Sequence, residues 1–190
     1  LLNVLDVYKG REEITGIIWT IIEAGRKTKS HEVVRELAET SQAWGEMPRD
    51  MVIALEEAIS YVLSYTSQSK KIIEIARIFR EKETMEALKP FTGLKGISYI
   101  TKAIAEKAWE KGPDYVSWAR KTLKEGKEDI IKTLTEYGDS KMVHLVAEAI
   151  GKTIYEGGSI KKLTKTLRDE KVKELLNLSL IHISEPTRPY

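Results

Sequence analysis

A chain of 190 residues without a single cysteine excludes disulfides, thiolate metal sites, iron–sulfur clusters and cysteine nucleophiles, and it is long enough to bury a core unaided. Its 31 Lys and Arg nearly cancel its 29 Asp and Glu, so the formal charge of +2 lacks the concentrated basicity of a dedicated nucleic-acid binder. The longest strongly apolar run, Ile14 to Ile22, falls far short of the roughly twenty residues a membrane helix needs, and no secretory signal is visible; a cytoplasmic protein that makes no membrane contact is expected.

Apolar residues recur at helical spacing almost throughout, as in Val33, Val34, Leu37 and Ala38, or Met51, Val52, Leu55, Ala58, Ile59, Val62 and Leu63. Helices are predicted near residues 11–24, 30–44, 48–65, 69–82, 84–89, 96–111, 113–125, 127–137, 140–156 and 159–176. Gly25, Gly45, Gly112, Gly138 and Gly158 stand where helices should stop, and Ser30, Ser69 and Ser159 where caps should start them. Pro48 and Pro113 suit first turns, while Pro90 ends the segment before it. No segment alternates like a strand, so the fold class is all-α. Only Asn3, Asn177, Gln42 and Gln68 carry side-chain amides, and with so much Lys and Glu this composition points to a heat-adapted source.

Internal repetition is the most informative pattern. Ile14, Ile59, Ile104 and Ile150 lie 45, 45 and 46 residues apart, followed five residues later by Trp19, Ser64, Trp109 and Tyr155. Met51-Val52, Glu57-Ala58-Ile59, Lys70-Lys71 and Arg77 recur 91 residues on as Met142-Val143, Glu148-Ala149-Ile150, Lys161-Lys162 and Arg168. In period and pattern this resembles HEAT and armadillo repeats, which run to about 40–47 residues. The resemblance implies helical hairpins of about 45 residues stacked as an α-solenoid or superhelical bundle, with the recurring aromatics packed between units.

Two shorter stretches resemble other sequences. Gly158 to Val172, with Leu-Arg-Asp at Leu167, Arg168 and Asp169 and leucines at Leu175 and Leu176, resembles a leucine-rich block of an uncharacterised helical family encoded beside formate dehydrogenase genes. That likeness implies a partner in redox-enzyme assembly and transfers no catalytic residue. Leu178 to Arg188 is similar to a translated sequencing-library adaptor, with Pro189 and Tyr190 following from its index, so residues 178–190 are expected to be a non-native tail. Residues 1–177 then form one helical-repeat domain, read as a metagenomic fragment truncated at both ends.

The motifs that carry chemistry are sparse. With the tail set aside, only His31 and His144 remain as imidazoles; His144 and Glu148 share a helix face but lack further ligands, and no metal or other cofactor is expected. No Gly-x-Ser-x-Gly elbow is present, and the Glu12-Glu13 and Glu56-Glu57 pairs read as solvated charge rather than acid–base machinery. Gly157-Gly158-Ser159 before Ile160-Lys161-Lys162 reads as a helix stop and a cap, without the strand and spacing of a phosphate loop. Gly93-Leu94-Lys95-Gly96 has the Gly-x-x-Gly form of a nucleotide clamp but no sheet to carry it. Trp19, Trp44, Trp109, Trp118 and Tyr155 are expected mostly in the core.

What remains is Lys70, Lys71, Lys161 and Lys162, which equivalent positions in stacked units would set along one edge as a partner-binding ridge. The expected function is therefore a non-catalytic protein–protein scaffold or accessory subunit whose partner is another protein. The alternatives are a nucleic-acid-binding repeat that uses the lysine ridge, and a non-catalytic fragment of a larger enzyme.

Overall fold

The computed structural model describes the backbone of residues 4–184 and the side chains of residues 5–179. Among the described residues all regular structure is helical: α1 (Ile14–Thr28), α2 (His31–Ala43), α3 (Arg49–Tyr65), α4 (Ser69–Ile78), α5 (Lys82–Leu88), α6 (Ile97–Lys111), α7 (Val116–Glu136), α8 (Val143–Glu156), α9 (Ile160–Leu167) and α10 (Glu170–Ser184). Short 3-10 turns precede α1, join α5 to α6 and lead into α7. The all-α expectation holds.

The helices pack in two rows. In the first, α1 lies on α3, α3 on α6 and α6 on α8; in the second, α2 lies on α4, α5 on α7 and α7 on α9. Buried threonines tie neighbours within a row: Thr101 Oγ1 donates to Ala54 O at 2.9 Å between α6 and α3, and Thr40 Oγ1 to Ala76 O at 3.1 Å between α2 and α4. Each is a hydroxyl that would otherwise lose water without replacement. The core runs the length of both rows, from Leu5 and Tyr8 to Ile154 and Ile160.

A lysine device recurs at the C-terminal ends of the first-row helices. Lys27 Nζ donates to Leu63 O at 2.5 Å, Lys71 Nζ to Trp109 O at 2.6 Å and Lys107 Nζ to Tyr155 O at 2.6 Å. The three acceptors lie in the last turns of α3, α6 and α8, whose carbonyls have no partner inside the helix and carry the negative end of its dipole.

Among the boundaries that differ from the periodicity-based expectation, three have a clear local reason. The helix predicted to stop at Gly25 runs on to Thr28, because Gly25 makes room for Val34, whose Cγ2 would stand 2.9 Å from any Cβ there. The break predicted around residue 126 is absent, since Gly126 lets Ile160 of α9 approach the unbroken α7. The single helix predicted over 159–176 is two, because the Asp169 carboxylate accepts from Lys171 N (3.0 Å) and Val172 N (3.4 Å) and starts α10 afresh. The backbone of α10 continues into the adaptor-like stretch as far as Ser184, while the remainder of that stretch, residues 185–190, lies outside the described residues, as does the side chain of His182.

The repeat register also differs at its first copy. Tyr61 meets Glu106 and Glu110 meets Tyr155, both pairs 45 residues apart, whereas Thr20 meets Glu56 and Lys27 meets Leu63 at a separation of 36. The first unit holds only α1 and α2, while the second inserts α5 and the third lengthens α7 to 21 residues. Ile14 is therefore not in register with Ile59.

Two stability predictions arise here. Lys29 closes α1 in the left-handed region at φ 53°, donating its amide to Gly25 O, a conformation that costs an L-residue about 1 kcal/mol over glycine. Lys29→Gly should therefore raise the midpoint of chemical denaturation, by about 0.5–1 kcal/mol in stability; an unchanged midpoint would contradict the assignment.

The second concerns Glu36, buried on α2, where Oε1 accepts from Arg77 Nη2 at 2.6 Å and Oε2 lies 2.9 Å from Arg80 Nη2 in an ion pair off the hydrogen-bonding angle. The Arg77 hydrogen bond, more than the surrounding arginine charges, holds this carboxyl below the usual range. A depressed folded pKa stabilises fully above the unfolded value of about 4.3 and is lost as the pH falls through the folded value. Glu36→Gln should cost about 1–2 kcal/mol near neutrality and flatten the acid limb of the stability–pH curve. Parallel curves for the two proteins would show that Glu36 is not the titrating group.

Candidate functional site: an apolar end-face and a lysine-bearing edge

The four lysines singled out in the sequence occupy first turns of the second row. Lys70 and Lys71 open α4, and Lys161 and Lys162 open α9. Lys71 is committed to Trp109 O, as above, so its ammonium caps α6. Lys70, Lys161 and Lys162 are exposed, and among the described residues none of them forms an ion pair. Lys161 lines a shallow hollow with Asp129, Lys165 and Arg168. Along the edge where α6 and α8 end lie the half-buried Trp109 and Tyr155, and with them Trp118, the Lys107 ammonium standing 5.3 Å from the Trp118 and Tyr155 ring centres. The Tyr155 hydroxyl donates to Glu110, and chiefly that bond pushes its pKa up to about 12.

Other sequence candidates resolve into local structure. Ser159 Oγ accepts from Lys162 N at 3.3 Å, so the Gly157-Gly158-Ser159 turn is a cap. Gly93 N donates to Asp50 Oδ2 at 2.5 Å, so the first amide of the Gly-x-x-Gly turn is taken up within the chain. Glu56 accepts from Thr20 Oγ1, while the neighbouring Glu57 is pushed above the usual carboxyl range, first by partial burial and then by the Glu56 charge. His31 and His144 are both exposed, and His144 lies against the Tyr99 ring at 6.2 Å; among the described residues no three His, Asp or Glu side chains gather to hold a metal.

The aromatics divide in a way the repeat does not anticipate. Trp44 is 1% exposed and Trp109 and Tyr155 sit in seams, but Trp19 is 66% exposed. This follows from the register of the first unit, which places Trp19 away from any seam. It also exposes a feature that sequence reasoning missed. On the side of α1 turned away from α3, Ile18 and Ile22 are 37% and 52% exposed, and Val7 of the preceding 3-10 turn is 43% exposed.

Two grooves lie at the N-terminal end of the rows, and Ile18 and Ile22 wall the first of them. One, about 580 Å³, is walled by Leu5, Ile14, Ile18, Ile21 and Ile22, with Asp6 and Lys9 at its rim. The other, about 710 Å³, runs along α2 past Lys29, His31, Arg35, Ala38 and Glu39. Gly25 and Val34, packed on each other, border both, so the grooves adjoin. Ile14, Ile18 and Ile22 stand four residues apart, the spacing of a ridge that packs against a second helix. The signal in the sequence was Ile17-Ile18 and Ile21-Ile22, two apolar faces on one helix where a single stripe would bury against the core.

Fold and surface define an all-α protein of two packed helical rows with an open apolar end-face. No protein-family profile matches the chain, and no solved structure matches it. Over 107 residues, 56% of the chain, it is 30% identical to a protein of Arabidopsis thaliana named nuclear pore complex protein NUP50B, and the match spans 23% of that protein. The chain thus covers less than a quarter of that relative. Among the described residues no helix is long and apolar enough to cross a membrane.

Proposed function

We propose that this protein is a non-catalytic helical-repeat scaffold or accessory subunit, and that it engages a partner protein through the end-face of α1, α2 and the preceding 3-10 turn. The observation that carries this reading is the exposure of Ile18 and Ile22 in an apolar groove that adjoins a second one along α2, with Trp19 exposed on the same helix. Apolar patches of this kind, rimmed by polar residues, mark interaction sites. The similarity to a nuclear pore complex protein is in keeping with a role in assembly.

The test is photocrosslinking with a benzophenone amino acid in place of Ile22 or, as a control, of Lys152 on the opposite end of the first row. Protein adducts from position 22 and none from position 152 are expected. Equal labelling at the two positions, or none at 22, would end the reading.

A second reading, nucleic-acid binding at the turn edge, is favoured by the exposure of Lys70, Lys161 and Lys162 beside half-buried aromatics. It requires single-stranded probes to bind at low salt, with affinity falling steeply as salt rises. Lys161→Glu with Lys162→Glu should abolish such binding; probes that fail to bind at low salt would dismiss it.

A further inference from the structure

At the N-terminal end of the rows, the side of α1 turned away from α3 carries the exposed Ile18 and Ile22. The C-terminal end exposes Leu145 of α8 and Leu175 of α10, so apolarity alone does not separate a second copy from another protein, and the choice of occupant rests on shape and charge.

Shape narrows it. In the interior of the first row, the side of α3 facing away from α6 is covered by α1, and the side of α6 facing away from α8 is covered by α3. The open side of α1 continues that series, and its Ile14-Ile18-Ile22 ridge suits one more helix at ordinary helix-to-helix distance.

Charge narrows it further. The rim bears Lys9, Lys29, His31 and Arg35 against Asp6 and Glu39. Glu39 is already engaged within the chain, its Oε2 3.0 Å from Arg80 Nη1, and Arg35 Nε lies 3.9 Å from its other oxygen. Lys9, Lys29 and Asp6 make no ion pair among the described residues, which leaves two cations against one anion, and the N-terminus of α2 adds the positive end of its dipole beside Lys29.

We infer that the end-face docks an acidic amphipathic helix of a partner protein, with its leucine-type side chains on the Ile14-Ile18-Ile22 ridge and its carboxylates toward Lys9, Lys29 and Arg35. This rests on the end-face being the docking surface, and adds the chemistry of what docks. The mode is a helix laid in a groove, read by anchors at i, i+3, i+4 and i+7.

Two helical peptides of the same length test it, identical in their leucine face and differing only in Glu or Lys at every polar position. With the intact chain at low salt, the Glu peptide should bind at least about tenfold tighter, and the gap should narrow as salt screens the rim. Ile22→Glu should abolish binding of the Glu peptide while circular dichroism stays unchanged. Lys29→Glu with Arg35→Glu should reverse the preference.

Equal affinity for the two peptides, still lost in Ile22→Glu, would overturn the charge assignment and leave the end-face as the docking surface. Failure of both peptides to bind would overturn the inference, while adducts at position 22 judge the docking surface separately. A molar mass that doubles with concentration in the wild type but not in Ile22→Glu would assign the groove to a second copy and overturn it as well.

Discussion

Trp44→Ala is expected to lower stability by about 3–5 kcal/mol and the melting temperature by on the order of 10 °C. Trp44 follows the last residue of α2 and is 1% exposed, and its indole Nε1 donates to Phe79 O at 3.0 Å just past the end of α4. The same corner holds Tyr8, whose hydroxyl donates to Ser41 O and whose burial pushes its pKa up to about 12. One side chain thus fills the corner where the first two units of the second row meet and satisfies a carbonyl that water cannot reach. Trp44→Phe separates the two contributions, because it keeps most of the packing and leaves the Phe79 carbonyl unpaired; about 1–2 kcal/mol is expected. Calorimetry of both variants checks this. A loss of under about 1 kcal/mol for Trp44→Ala would mean that the corner is not part of the cooperative core.

Gly96→Ala should cost about 2–4 kcal/mol for two reasons that a double-mutant cycle can divide. Gly96 precedes α6 at φ +93°, a conformation costing an L-residue about 1–2 kcal/mol. A Cβ there would also stand 2.3 Å from Ala147 Cβ of α8, an overlap only backbone movement can relieve. Ala147→Gly removes the overlap but not the φ cost, so the double variant should recover at least about 1 kcal/mol relative to the sum of the single changes. Additive effects would show that α6 and α8 are not packed as closely as described. Gly151 marks the same seam, where a Cβ would lie 2.8 Å from Tyr99 O.

The class of fold was readable because 3.6-residue periodicity is a property of each helix alone. The seams were readable only where units are alike. Tyr61 with Glu106 and Glu110 with Tyr155 keep the 45-residue spacing found by self-comparison, while the shorter first unit breaks it, and equal letters at Ile14 and Ile59 concealed that. Glycines misled for a related reason. Gly25 and Gly126 look like helix stops in a one-dimensional reading, yet they are contact points whose partners, Val34 and Ile160, are identified only by packing. Lys71 and Lys162 match in sequence and differ in role, since Lys71 caps α6 whereas Lys162 stands in the first turn of α9 and makes no side-chain hydrogen bond among the described residues. The end-face escaped the sequence reading because a helix with two apolar sides resembles a fully buried helix until its neighbours are counted.

Hydrogen–deuterium exchange, with and without a partner captured at position 22, tests the central claim most directly, since amide protection maps a docking surface without altering a side chain. Protection confined to residues 5–9, α1 and the first two turns of α2, with α8 and α9 unchanged, is the predicted result. Protection at residues 66–71 and 157–162 with α1 unaffected would contradict it, and would move the interaction to the lysine-bearing edge.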